Sequence, residues 1–202
     1  MTLEMDTAIK KILSHLEDDG ISLKELTALD FFAREGDWQT HQVAKKVSKI
    51  HAWEIDSKFE KKLRDNLPSN AEIVIGDSFE TSKSNKEIFD LIVLDNPQGC
   101  FGNGYCEHFE ALPSVLSHLA DSCVIIINVK VKPFNYEDKH EWRQRRNDFY
   151  GVDATCLDEE FVFKFYNQYF SSHGFHTNNF FWEVRPQEAG LYQYAAKLSR
   201  KK

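Results

Sequence analysis

Apolar positions along the chain follow two rhythms. Ile9, Ile12, Leu13 and Leu16 recur at helical spacing, which predicts an opening helix that Gly20 ends. Ser22 and Glu25 stand at capping-box spacing. Short apolar runs then appear at residues 26–33, 50–55, 71–75, 89–94 and 123–131. Each has the length of a strand, and the run at 89–94 is apolar almost throughout, as a strand covered on both faces must be. Segments with helical spacing separate them, at 38–47, from 56 to just before Pro68, at 109–119 and at 159–173. The last two runs, 180–184 and 191–198, flank a short polar turn and predict an antiparallel hairpin.

Alternation of this kind predicts an α/β fold: a doubly wound, mostly parallel seven-stranded sheet with helices on both faces and a C-terminal antiparallel hairpin. We read residues 1–202 as one domain, with an N-terminal helix over 1–20. Residues 132–157 are polar, charged and aromatic without a clean period, and read as an insertion on the substrate side of the strand ends.

Several predicted strands end in chemistry. The first ends at Asp30, ahead of a short loop containing Gly36. The second ends at Glu54, the third runs into Gly76-Asp77-Ser78, and the fourth into Asp95-Asn96-Pro97. Ligands of parallel α/β sheets sit at the carboxyl ends of the strands, so these residues are the candidate site.

The four pieces Asp30 to Gly36, Ala52 to Asp56, Gly76 to Phe79 and Phe89 to Pro97, in this order, resemble the class I S-adenosylmethionine-dependent methyltransferases. The resemblance covers the chain from about residue 26 onward. It implies a cofactor, S-adenosylmethionine, and a residue-by-residue site. Glu54 would accept hydrogen bonds from the ribose diol, with Ile55 beside it. Asp77 would take the adenine amino group, with Ser78 or Phe79 along the ring. Asp30 and the loop through Phe32, Ala33 and Gly36 would face the methionine end. Asp95, Asn96 and Pro97 would line the transfer site, where amino-methylating members bind the acceptor. The chain departs from the family in two places. Phe32 and Arg34 stand where glycines are common, and Gln98 and Gly99 replace a second proline and an aromatic. A catalytically silent methyltransferase-like binding module is therefore the alternative to an enzyme. Glu35 and Asp37 add negative charge beside the loop, which suits a sulfonium and an ammonium. A nicotinamide dinucleotide fits poorly, because G-x-G-x-x-G is absent.

Composition narrows the partners. The net charge of −7 makes nucleic acid an unlikely partner on electrostatic grounds, so a small molecule or a protein side chain is the expected substrate, methylated on N or O. No apolar run approaches the roughly 20 residues of a membrane span, and the amphipathic N-terminus does not resemble a signal peptide. Four cysteines do not make a disulfide framework, and Cys100, Cys106 and His108 lack zinc-ligand spacing, so no metal is expected. The cytoplasm is the expected location. The opening helix and the hairpin are the candidate surfaces for a homodimer. Residues 100–108 read as a substrate-gating loop, and Arg143, Arg145 and Arg146 with neighbouring aromatics read either as an anion-binding cap or as a helix with paired charges.

Overall fold

A computed structural model of the chain describes residues 7–95, 99–101, 104–106, 108–131, 140–155, 157–184 and 191–202. Seven strands form one sheet: β1 (Thr27–Asp30), β2 (Lys49–Glu54), β3 (Ala71–Ile75), β4 (Phe89–Leu94), β7 (Leu119–Lys130), β8 (Phe175–Val184) and β9 (Leu191–Arg200). Their spatial order is β3-β2-β1-β4-β7-β9-β8. The first five in space run parallel, and β9 pairs antiparallel with both β7 and β8. This is the predicted architecture, with both members of the hairpin longer than the apolar pattern shows. The reversal of strand order between parallel neighbours β1 and β4 opens a crevice at the carboxyl edge.

Two cores clasp the sheet. On one face, α1 (Thr7–Asp18), α2 (Gln39–Ala44) and α3 (Glu60–Asn66) cover Ala28, Ile50, Ala52, Leu91, Val93 and Ile126. On the other, α5 (His108–Val115), α6 (His140–Tyr150) and α7 (Glu159–Ser172) pack on Leu29, Trp53, Ile92, Ile125 and Tyr194. The predicted stripe Ile9, Ile12, Leu13 and Leu16 is wholly buried in the first core. Asp158 caps α7 by accepting the Phe161 N–H at 2.7 Å, and Asp56 caps a short turn before α3 in the same way.

Local details differ from the sequence pattern. β1 stops at Asp30: Phe31 still donates a ladder bond to the Val93 carbonyl, but Ala33, which donates to Trp53, accepts from Gly36 and so begins a turn. Ser22 makes no capping bond, and the segment it precedes is a single 3₁₀ turn. A helix α4 (Ser78–Ser84), not signalled by any apolar stripe, follows β3. Within the segment read as a gating loop, β5 (Gly99–Phe101) and β6 (Gly104–Cys106) pair as a small ribbon. Within 132–157, α6 is well anchored. Trp142, Arg146 and Tyr150 are buried, and Arg146 donates to the carbonyls of Ala154 and Lys130. Arg143 pairs with Asp153 and Arg145 with Glu110, so the arginines of this segment serve the fold.

Candidate functional site

Strand register assembles the site. Asp30 stands level with Ala52 of β2 and Val93 of β4. Two residues further along, Glu54 and Asp95 therefore flank the first crossover loop at one height. Leu94 stands level with Ile127, which brings Asp95 beside Asn128, and Asn128 pairs directly with Gln193 of β9. Alternation puts all of these side chains on the face covered by α1, α2 and α3. The result is a polar row across four strands, with Asp30 one step below it and Lys130 one step above. Glu54, Asp30, Asp95, Asn128, Lys130 and Gln193 are all buried.

The Asp30 carboxyl is wholly enclosed. Its Oδ1 accepts the Phe32 N–H at 3.1 Å and its Oδ2 the Thr40 hydroxyl at 2.7 Å. Burial pushes its pKa from 3.8 up to about 7; those two hydrogen bonds hold it down in part, and the nearby charges of Asp95 and Glu54 raise it further. Three buried carboxyl groups gathered at one edge favour a cation over an anion.

Glu54 organises the loop after β1. Its Oε2 accepts the Arg34 N–H and its Oε1 the Asp56 N–H, both at 2.7 Å. Arg34 has φ of 52°, the left-handed conformation that glycine adopts without penalty, so a side chain here carries backbone strain. The short bond to Glu54 holds the turn, and the guanidinium lies 5.1 Å over the Trp38 ring. Gly36 also has positive φ, and a Cβ there would meet Leu63 at 2.9 Å. Ala33 spends its N–H on Trp53 and its carbonyl on Gly36. The chain thus builds the loop with one obligatory glycine, its backbone closed on itself.

On the β3 side, Asp77 caps α4 by accepting the Phe79 N–H at 2.8 Å and remains exposed. The Ser78 hydroxyl donates to the Phe31 carbonyl at 2.8 Å, joining α4 to the first loop. Phe32 and Phe79 lie edge-on to Phe31, with centroids 4.9 and 5.4 Å away. Ile55 is 57 % exposed next to Glu54, an apolar surface at the rim. Register and packing thus gather Asp30, Phe32, Ala33, Gly36, Glu54, Ile55, Asp77, Ser78 and Asp95 at one edge. Asn96 and Pro97 lie outside the described residues. The sequence reading missed Thr40, Asn128, Lys130 and Gln193. The signal was available: Asn and Lys interrupt the apolar run of β7, and Gln193 sits between two tyrosines in a buried strand.

No protein-family model matches this sequence, and no curated protein resembles it in sequence. Solved structures resemble it in fold. TYW2 of M. jannaschii in complex with AdoMet aligns at a TM-score of 0.54 and 14% identity, over 94% of this chain and 75% of that one. The Escherichia coli protein yhhF, a candidate methyltransferase, aligns at 0.56 and 15% over 97% and 86%. The M. jannaschii tRNA m1G37 methyltransferase aligns at 0.53 and 13% over 97% of this chain and 50% of that one. At these identities the likeness establishes the fold, that of class I methyltransferases. It also corrects one expectation. The acidic net charge pointed away from nucleic acid, yet this scaffold carries an RNA methyltransferase in one of these structures, so net charge does not exclude such a partner. Charge is a property of the whole surface, whereas recognition is set by the few groups at one edge. No helix among the described residues is long and apolar enough to cross a membrane.

Proposed function

We propose that this chain is an S-adenosylmethionine-dependent methyltransferase acting on a nitrogen or oxygen acceptor. The observation that carries the reading is the enclosed Asp30 carboxyl with Glu54 and Asp95 beside it, a concentration of acidic groups that a ligand presenting an ammonium and a sulfonium relieves. The fold at the same edge belongs to methyltransferases, and one neighbour holds AdoMet.

When bound, the cofactor supplies an electrophilic methyl group on a sulfonium. The chain's own residues supply position and field. Glu54, already fixed by two amides, has lone pairs left on each oxygen to accept from the ribose hydroxyls. Asp77 accepts from the adenine amino group, and Ile55 offers an apolar surface beside it. Asp30, ionised, balances the methionine ammonium. Asp95 stands nearest the acceptor strands β7 and β9 and accepts an N–H of the incoming group, aligning its lone pair with the methyl. Transfer of this kind depends on holding the partners within attack distance, with water excluded. The acceptor belongs to a small molecule, a protein side chain or a nucleobase.

Calorimetric titration with S-adenosylmethionine and with S-adenosylhomocysteine tests the proposal. Micromolar binding of both is expected. Folded protein that binds neither would overturn it in favour of a silent binding module, the reading favoured by Phe32 at a usual glycine position and by the closed first loop.

A further inference from the structure

The proposed reaction ends at Asp95, but the polar row does not. Asn128 and Gln193 pair across β7 and β9, one and two strands further on. Adjacent strands lie about 4.8 Å apart, so Gln193 stands about 10 Å from Asp95 along the same edge. Its side chain is 3 % exposed, and its Oε1 has no hydrogen-bond partner among the described residues. Buried carboxamide oxygens are normally paired, and one left without a donor is destabilising. Leucine or methionine would fill this strand position without that penalty. A glutamine there is accounted for by a ligand that brings the missing N–H.

A carboxamide presents an acceptor and a donor side by side. That pattern complements an edge with an amino N–H next to a ring nitrogen, the edge by which Asn and Gln recognise adenine. We propose that Gln193 is a specificity-determining residue that binds the amino edge of a nucleobase on the acceptor side of the site. The inference rests on the methyltransferase reading and names its substrate class. Gln193 receives the amino N–H at Oε1, with the base lying over Asn128 toward Asp95. Asn128, the second carboxamide in line, faces the same base from β7.

The test uses the full chain saturated with S-adenosylhomocysteine. A fluorescently labelled ten-nucleotide single strand of A and C is titrated by anisotropy, as RNA and as DNA of the same sequence, with free adenosine as competitor. The wild-type chain is expected to bind at least one strand, and Gln193→Leu to bind it about tenfold more weakly. S-adenosylhomocysteine affinity and the melting temperature should hold or, for the latter, rise, because an unpaired buried acceptor has been removed. Gln193→Met serves if the leucine variant is poorly folded. Equal binding by wild-type and variant, or no binding of either strand or of adenosine by the wild-type chain, overturns the proposal. Failure of S-adenosylhomocysteine to bind overturns the methyltransferase reading instead, and the same titrations without it then judge Gln193 alone.

Discussion

Replacing Asp30 by Asn tests the electrostatics of the site without disturbing its packing. The amide keeps an oxygen for the Phe32 N–H, and the Thr40 hydroxyl has a second acceptor at 3.4 Å in the Ala33 carbonyl. What disappears is the ionisation. In the folded chain the Asp30 pKa is raised from 3.8 to about 7. Below the lower value the carboxyl is neutral in both folded and unfolded chains and costs nothing. As the pH rises, the unfolded chain releases this proton first while the folded chain retains it, so folding weakens until the pH passes about 7. The full shift is equivalent to about 4 kcal/mol, an upper figure because a strained carboxylate draws in water. Denaturant unfolding of both proteins from pH 4 to pH 8 isolates this group, since the other titrating residues cancel in the difference. Asp30→Asn should gain on the wild-type chain steadily across that range, by up to about 4 kcal/mol. A difference that stays flat, or that falls as pH rises, refutes the argument. The same variant should bind S-adenosylmethionine at least tenfold more weakly at pH 8, having lost the charge opposite the ammonium, an effect of about 1.4 kcal/mol or more.

Other substitutions probe the loop and its anchors. Glu54→Ala strands the amides of Arg34 and Asp56, and should cost about 2 to 4 kcal/mol in denaturant unfolding. Glu54→Gln should keep the fold but lose most of the cofactor affinity in calorimetry. Gly36→Ala forces a Cβ to 2.9 Å from Leu63 at a φ of 69°, so a loss of about 2 to 4 kcal/mol is expected; an unchanged melting temperature would show that α3 yields easily. Ser78→Ala removes the buried bond to the Phe31 carbonyl and should cost about 1 kcal/mol, read by thermal melting.

What the sequence showed and what it hid follow from the range of the forces involved. β4 and β7 were legible because a strand covered on both faces must be apolar, and Phe89 to Leu94, apart from Asp90, and Val124 to Ile127 are. Glu54 and Asp77 were legible because each stands at the end of such a run, where the chain leaves the core. β1 was overread because Phe31 and Ala33 are as apolar as a strand residue, yet the Ala33 carbonyl accepts from Gly36 and so begins a turn. α6 was legible only as one of two readings of its arginines, because its buried residues, Trp142, Arg146 and Tyr150, include a charged one whose carbonyl partners, on Ala154 and Lys130, lie outside the helix. The proposed acceptor half of the site was hidden for a related reason. Asn128 and Gln193 are more than sixty positions apart, and only the register of β7 on β9 makes them neighbours. Local pattern identifies elements, but pairing decides which polar residues share an edge. Once β7 and β9 are paired, the row from Glu54 to Gln193 has an acidic end suited to a cationic cofactor and an amide end suited to a planar acceptor, with Asp95 between them. That polarity along one edge is the physical basis for assigning cofactor and acceptor to opposite ends of a single site.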